Sequence, residues 1–151
     1  MPTPIRHLPP PDVAGPPGHD DILFMTCVVV SLAGNGPEDS YVALAQMIRN
    51  RRDHALAHVS KGNPAHPLFG DGSWQLSCPP GHAVGAPSQL TRAHFRAMAS
   101  ICRVFAGEEK DLVDGATACH LHSETPSWSA QMIPTALIGD HFFCREQGSS
   151  I

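Results

Sequence analysis

Histidine, cysteine and tryptophan are concentrated in one stretch of this 151-residue chain. Cys119-His120-Leu121-His122 is followed by Trp128 and then by His141-Phe142-Phe143-Cys144. Imidazoles and an indole hydrogen-bond to a sugar and stack on its ring; with thiols beside them, imidazoles also bind zinc. Both chemistries require the side chains on one surface. In an extended chain residues two apart share a face, so His120 and His122 point the same way if Ala116 to His122 is a strand. His141, with Cys119 or Cys144, completes a zinc set only if a second strand pairs with the first. The HxH spacing has low specificity, and neither HExxH nor a paired CxxC accompanies it. The spacing is therefore weak support for a metal site, and no metal or cofactor is expected.

The elements that position these groups are β in character. Asp114-Gly115 is a turn dipeptide ahead of the first run. The second run, Ile138 to Arg145, opens on Gly139-Asp140 and carries aromatics that suit a half-buried strand. The simplest arrangement pairs the two runs antiparallel and brings His120 and His141 near one groove. Pro126-Ser127-Trp128 reads as a loop between them, because proline has no N–H to give to a ladder.

The pattern GATxCHxHxxxPxW from Gly115 to Trp128, followed by IGxHxFxR from Ile138 to Arg145, resembles the C-terminal motif of the SleB-type cell wall hydrolases. These bacterial and phage enzymes cleave the glycan strands of peptidoglycan. The family pattern is roughly GATHYHxxxxxPxW…IGxHxFYR, so Ala118 and Cys144 stand where histidine and tyrosine are common. Upstream, Gln75-Leu76-Ser77-Cys78 is similar to the family's QFSCW, and Ala43 to Arg51 to its helix ending ILNR. The resemblance covers about residues 22 to 145. It implies an α+β fold of the lysozyme-like kind, mainly helical with a small antiparallel sheet. It also implies a cleft built with Gln75, Ser77, His120, Trp128 and His141, acting on glycan strands by hydrolysis or lytic transglycosylation.

The same resemblance locates a departure. The family's AEARGE carries the proposed catalytic acid as its first Glu, and counting back without gaps from Asn50-Arg51 puts Leu32 there and Gly36 at the second Glu. Leucine cannot transfer a proton, and losing a leaving-group acid forfeits roughly 10²- to 10⁴-fold in rate. Glu38 and Asp39 are substitutes only if their loop carries them back to the cleft; otherwise they are solvated acids at a helix start. Two functions follow from different classes: a cell wall hydrolase, or an impaired relative serving as a glycan-binding or structural component of a phage-like particle.

Composition bounds the remainder. The length suits one domain, and 42% hydrophobic residues can supply its core. A formal charge of −4 provides no basic footprint for nucleic acid or for an anionic membrane surface. Cys27, Cys78, Cys102, Cys119 and Cys144 are odd in number, so at least one is a free or intermolecular thiol; most suit small buried hydrophobes, with a Cys119–Cys144 disulfide as the alternative. GxGxxG, Walker and GxSxG sequences are absent, which removes nucleotide and serine-hydrolase readings.

Residues 1–20 are proline-rich and read as an extended arm, either a plain leader or a segment docking on other subunits, ahead of a single domain over 21–151. With neither a secretory h-region nor an apolar run long enough for a bilayer, the chain is expected to start in the cytoplasm. It would then reach a wall by lysis, through a holin-like pore or within a virion. Asp21 to Ala33 is continuously apolar after its acidic start and suits a buried helix, although Val28-Val29-Val30 also suits a strand; the resemblance favours helix. Glu38 to His54 is a second helix, its Arg49, Arg51 and Arg52 placed where the dipole prefers cations. Ala55 to Pro87 reads as a long functional loop in which Gln75 and Ser77 face away from Leu76 and Trp74 is either a sugar platform or core. Ser88 to Ala106 is a helix with Phe95, Met98, Cys102 and Phe105 as its core stripe.

Overall fold

A computed structural model describes residues 15–79 and 89–147 of the chain. The N-terminal arm is expected to extend to residue 20, but the first helix already begins at His19; residues 1–14 lie outside the described part. Helix α1 spans His19–Ala33 and starts where Gly18 N donates to the Asp21 carboxylate at 2.9 Å. Met25, Cys27, Val28 and Val29 are buried. The β-branched run is thus helical, because burial against α2 and α4 outweighs a weak intrinsic preference. At its end Gly34 takes φ 58, and the buried Tyr41 hydroxyl donates to its carbonyl at 2.8 Å.

Helix α2, Glu38–Ser60, runs beyond the expected end at His54. The arginines read as dipole cations are mid-helix, and two of them are buried donors. Arg51 Nε donates to Ser77 O at 2.7 Å, Nη1 to Thr117 O at 2.9 Å and Nη2 to Leu68 O at 3.2 Å. Arg52 lies over the Trp74 ring at 4.2 Å and donates to the carbonyls of Gly72 and Gly15. Gln46 and Asn50 hold the connection before the sheet in the same way, through Lys110 O, Leu112 N and Ala116 O. Loops without regular structure must pair their buried backbone somewhere, and α2 supplies the partners.

Helix α3 is the single turn Trp74–Ser77, not an extended segment, so Gln75 and Leu76 face solvent while Ser77 is buried. Trp74 belongs to the core, edge-on to Phe105. Helix α4, Arg92–Phe105, buries Ala93, Ala97, Ser100, Ile101 and Val104. The expected stripe is only partly kept: Phe105 packs against the core and Met98 is half-buried, but Phe95 is 58% exposed and Cys102 is exposed. Both stripes have helical spacing, but small residues let α4 approach α1 and α2 closely, and that face wins.

Three strands follow: β1, Ala118–Leu121; β2, Met132–Ile138; and β3, His141–Glu146, in the order β1-β3-β2 and all antiparallel. The Asp-Gly turn ahead of β1 is present, with Asp114 at φ 49 and Gly115 at φ 78. The expected pairing of the first and last runs is present; β2 was not foreseen, because Pro134 interrupts its pattern and it carries a register shift there. Gly139, in the β2–β3 turn at φ 58, sits where a Cβ would run into the Ser40 hydroxyl, so the turn docks directly on α2. The fold is therefore α+β, mainly helical with a small antiparallel sheet, and Phe143 joins the sheet to the helical core.

Candidate functional site

Antiparallel partners project from the same face of a sheet, and so do residues two apart on one strand. Ala118 faces Cys144, Met132 faces Glu146, and Cys144 and Glu146 are two apart, so Ala118, Met132 and Glu146 share one face. They also share one end of the sheet, where β1 and β2 begin and β3 finishes. At that end lies a cavity of about 560 Å³. Leu32 reaches it from the end of α1, Arg51 from α2, Leu68 and Phe69 from the following loop, and Thr117 and Cys119 from the start of β1. Trp128 closes another side from the 3-10 turn Ser127–Gln131, 41% exposed and edge-on to His120 at 5.6 Å between ring centroids.

The lining is mostly apolar, with few polar groups. Arg51 is committed to three carbonyls, and burial holds its guanidinium below the ordinary value. The Thr117 hydroxyl is buried with no hydrogen-bond partner among the described residues. Glu146 is the one carboxylate among the described lining residues. Burial pushes the Cys119 thiol up to about 12, so it stays protonated near neutral pH and is no nucleophile. Cys119 and Cys144 are both free thiols. Their strand positions lie on opposite faces, as Cys119 pairs with Phe143 and Cys144 with Ala118, so the alternative disulfide does not form.

The expected site residues are only partly brought together. Trp128 lines the cavity, and His120 stands behind it against Phe142, half-buried, with Nδ1 at 2.8 Å from Leu121 O. His141 corrects the expected groove: it pairs with Leu121, on the sheet face opposite His120 and toward the other end, and is only 4% exposed. A one-residue offset across paired strands sends the two imidazoles to opposite faces. His122 has left the strand for a turn, its backbone N–H on Asp140 O at 2.8 Å. Among the described residues no group of three or more His, Cys, Asp or Glu is arranged to hold a metal ion. Ser77 is buried, with its hydroxyl on Ser73 O and its carbonyl on Arg51, and Gln75 is exposed; neither lines the cavity. Glu38 and Asp39 are exposed at the start of α2 and are likewise not among the lining residues. Sequence reasoning missed Glu146 and Met132; the alternation of β3 places Glu146 on the Cys144 face, but the cavity forms only once Met132 is seen to be in a strand.

Burial holds the His141 imidazole below the ordinary 6.5, with His120 and His122 adding to the effect and Asp140 and Glu124 opposing it. His66 is lowered for the same leading reason, then by His58. A histidine kept neutral by folding takes up a proton more readily when unfolded. Its stabilising contribution is complete above about pH 6.5 and is lost as the pH falls from there toward the folded-state value. The urea midpoint should therefore be lower at about pH 5 than at about pH 7.5, and His141→Gln should reduce the difference. An unchanged pH dependence in His141→Gln would remove His141 as a source.

Comparison with family models, with curated proteins and with solved structures finds no match for this chain. Among the described residues no helix is long and apolar enough to cross a membrane. Fold and site define a mainly helical α+β protein with a sheet-end cavity whose described lining includes Trp128, Phe69 and the carboxylate of Glu146.

Proposed function

We propose that this chain is a SleB-type, lysozyme-like cell wall hydrolase relative whose cavity receives a segment of peptidoglycan glycan strand. One observation carries the reading. Leu32, the residue aligned with the family's acid, lines the same cavity as Thr117, Ala118 and Trp128, which come from the C-terminal motif. An ungapped alignment and a fold arrive separately at one location. The volume, about 560 Å³, is in the range of small-ligand sites, and the exposed indole offers a flat apolar face for a sugar ring.

Leu32 cannot protonate a glycosidic oxygen, and Glu38 and Asp39 stand outside the cavity. That observation favours the second reading, a glycan-binding or structural component of a phage-like particle, unless another acid serves the cavity. Binding itself is tested by sedimenting the protein with purified peptidoglycan. The native chain should cosediment, and Trp128→Ala should weaken binding by about tenfold, the worth of one aromatic platform. Absence of native cosedimentation, or a Trp128→Ala variant that binds like the native chain, would overturn the reading.

A further inference from the structure

We infer that Glu146 is the catalytic acid of this cavity, supplying the proton that Leu32 cannot; the inference rests on the glycan-strand reading above. Glu146 ends β3, half-buried, on the sheet face of Ala118 and Met132, and is the one carboxylate among the described lining residues. The other acids near the sheet are badly placed. Glu124 and Asp140 are exposed and adjoin the His141 end, and Glu38 lies 3.9 Å from Arg103 at the start of α2. Cys119 shares the cavity, but its thiol, pushed up to about 12, is too weak an acid to protonate a leaving group at neutral pH. Leu32 and Trp128 line the same cavity, so among the described residues Glu146 is the carboxyl available to a strand held on the indole.

The step balances with Glu146 alone. Its carboxyl proton passes to the glycosidic oxygen as the C1–O bond breaks, and the bonding electron pair leaves with that oxygen as a free hydroxyl on the departing sugar. The cation left at C1 is stabilised by the ring oxygen. Water adds to C1, and the proton it sheds returns to the Glu146 carboxylate; in lytic transglycosylation a hydroxyl of the same sugar takes the place of water. A single carboxylate thus acts first as acid and then as base.

The test measures release of soluble sugar fragments from purified peptidoglycan beside cosedimentation, using the full chain. The native protein should release fragments, and E146Q should release them at least about 100-fold more slowly while still cosedimenting. E146D, which keeps the proton but withdraws it by one methylene, should fall between them, and circular dichroism confirms that each variant is folded. Fragment release by E146Q or E146D at the native rate overturns the assignment. So does a native chain that cosediments without releasing fragments, an outcome that leaves the binding function standing. A native chain that does not cosediment overturns both.

Discussion

Arg51→Met should cost about 3–5 kcal/mol of folding stability, a large share of the 5–15 kcal/mol that holds a domain of this kind together. Three backbone carbonyls, of Ser77, Thr117 and Leu68, lose their donor in this variant. Each belongs to a different segment: α3, the start of the sheet and the loop that walls the cavity. The guanidinium also lies over the Phe69 ring at 4.8 Å, and that contact goes too. Leaving a buried acceptor unpaired costs more than the bond itself contributes, and methionine fills the space without restoring a donor. Arg51→Lys should recover only part of the loss, since one ammonium cannot replace a planar fork aimed at three places. Urea unfolding followed by far-UV circular dichroism measures both variants. A loss below about 1 kcal/mol for Arg51→Met would mean that the carbonyls find other partners.

Leu32→Glu placed in E146Q should raise fragment release from peptidoglycan by roughly 100-fold over E146Q alone, because a carboxyl then occupies the position from which the resemblance expects the proton. Leu32 is half-buried and borders the cavity, where water can reach a carboxylate. The cost in stability should be about 1–3 kcal/mol, less than for a carboxylate sealed in the core. In the native chain, where Glu146 already supplies the proton, the same substitution should change release by less than about tenfold, which separates the position of the acid from the remainder of the cleft. A folded E146Q protein carrying Leu32→Glu that binds peptidoglycan and is no faster than E146Q would show that position 32 does not face the scissile bond.

Much of the framework was legible in the chain itself. The Asp114-Gly115 turn, the antiparallel partnership of the first and last runs and the helix beginning at Glu38 follow from local rules, because turn chemistry and period act over a few residues, whereas the helix over His19–Ala33 was favoured only by the resemblance. What failed did so where two local readings were equally good. On α4 the stripe of large residues and the stripe of small ones have the same spacing, and only packing against α1 and α2 selected Ala97 and Ile101 over Phe95 and Cys102. Arg51 and Arg52 look like dipole partners until α2 is seen to continue past them and the loops are seen to bring their carbonyls.

The candidate site divides along the same line. From the sequence alone came the resemblance that points to Trp128 and the Gly115 to His120 segment and aligns Leu32 with the family's acid. Tertiary structure alone decided that Leu32 and Trp128 share a cavity, that His141 turns away from it and that Glu146 turns in. Face and register are properties of a pair of strands: one residue of offset reverses every side chain, and the offset is set by the partner strand and by the core beneath it.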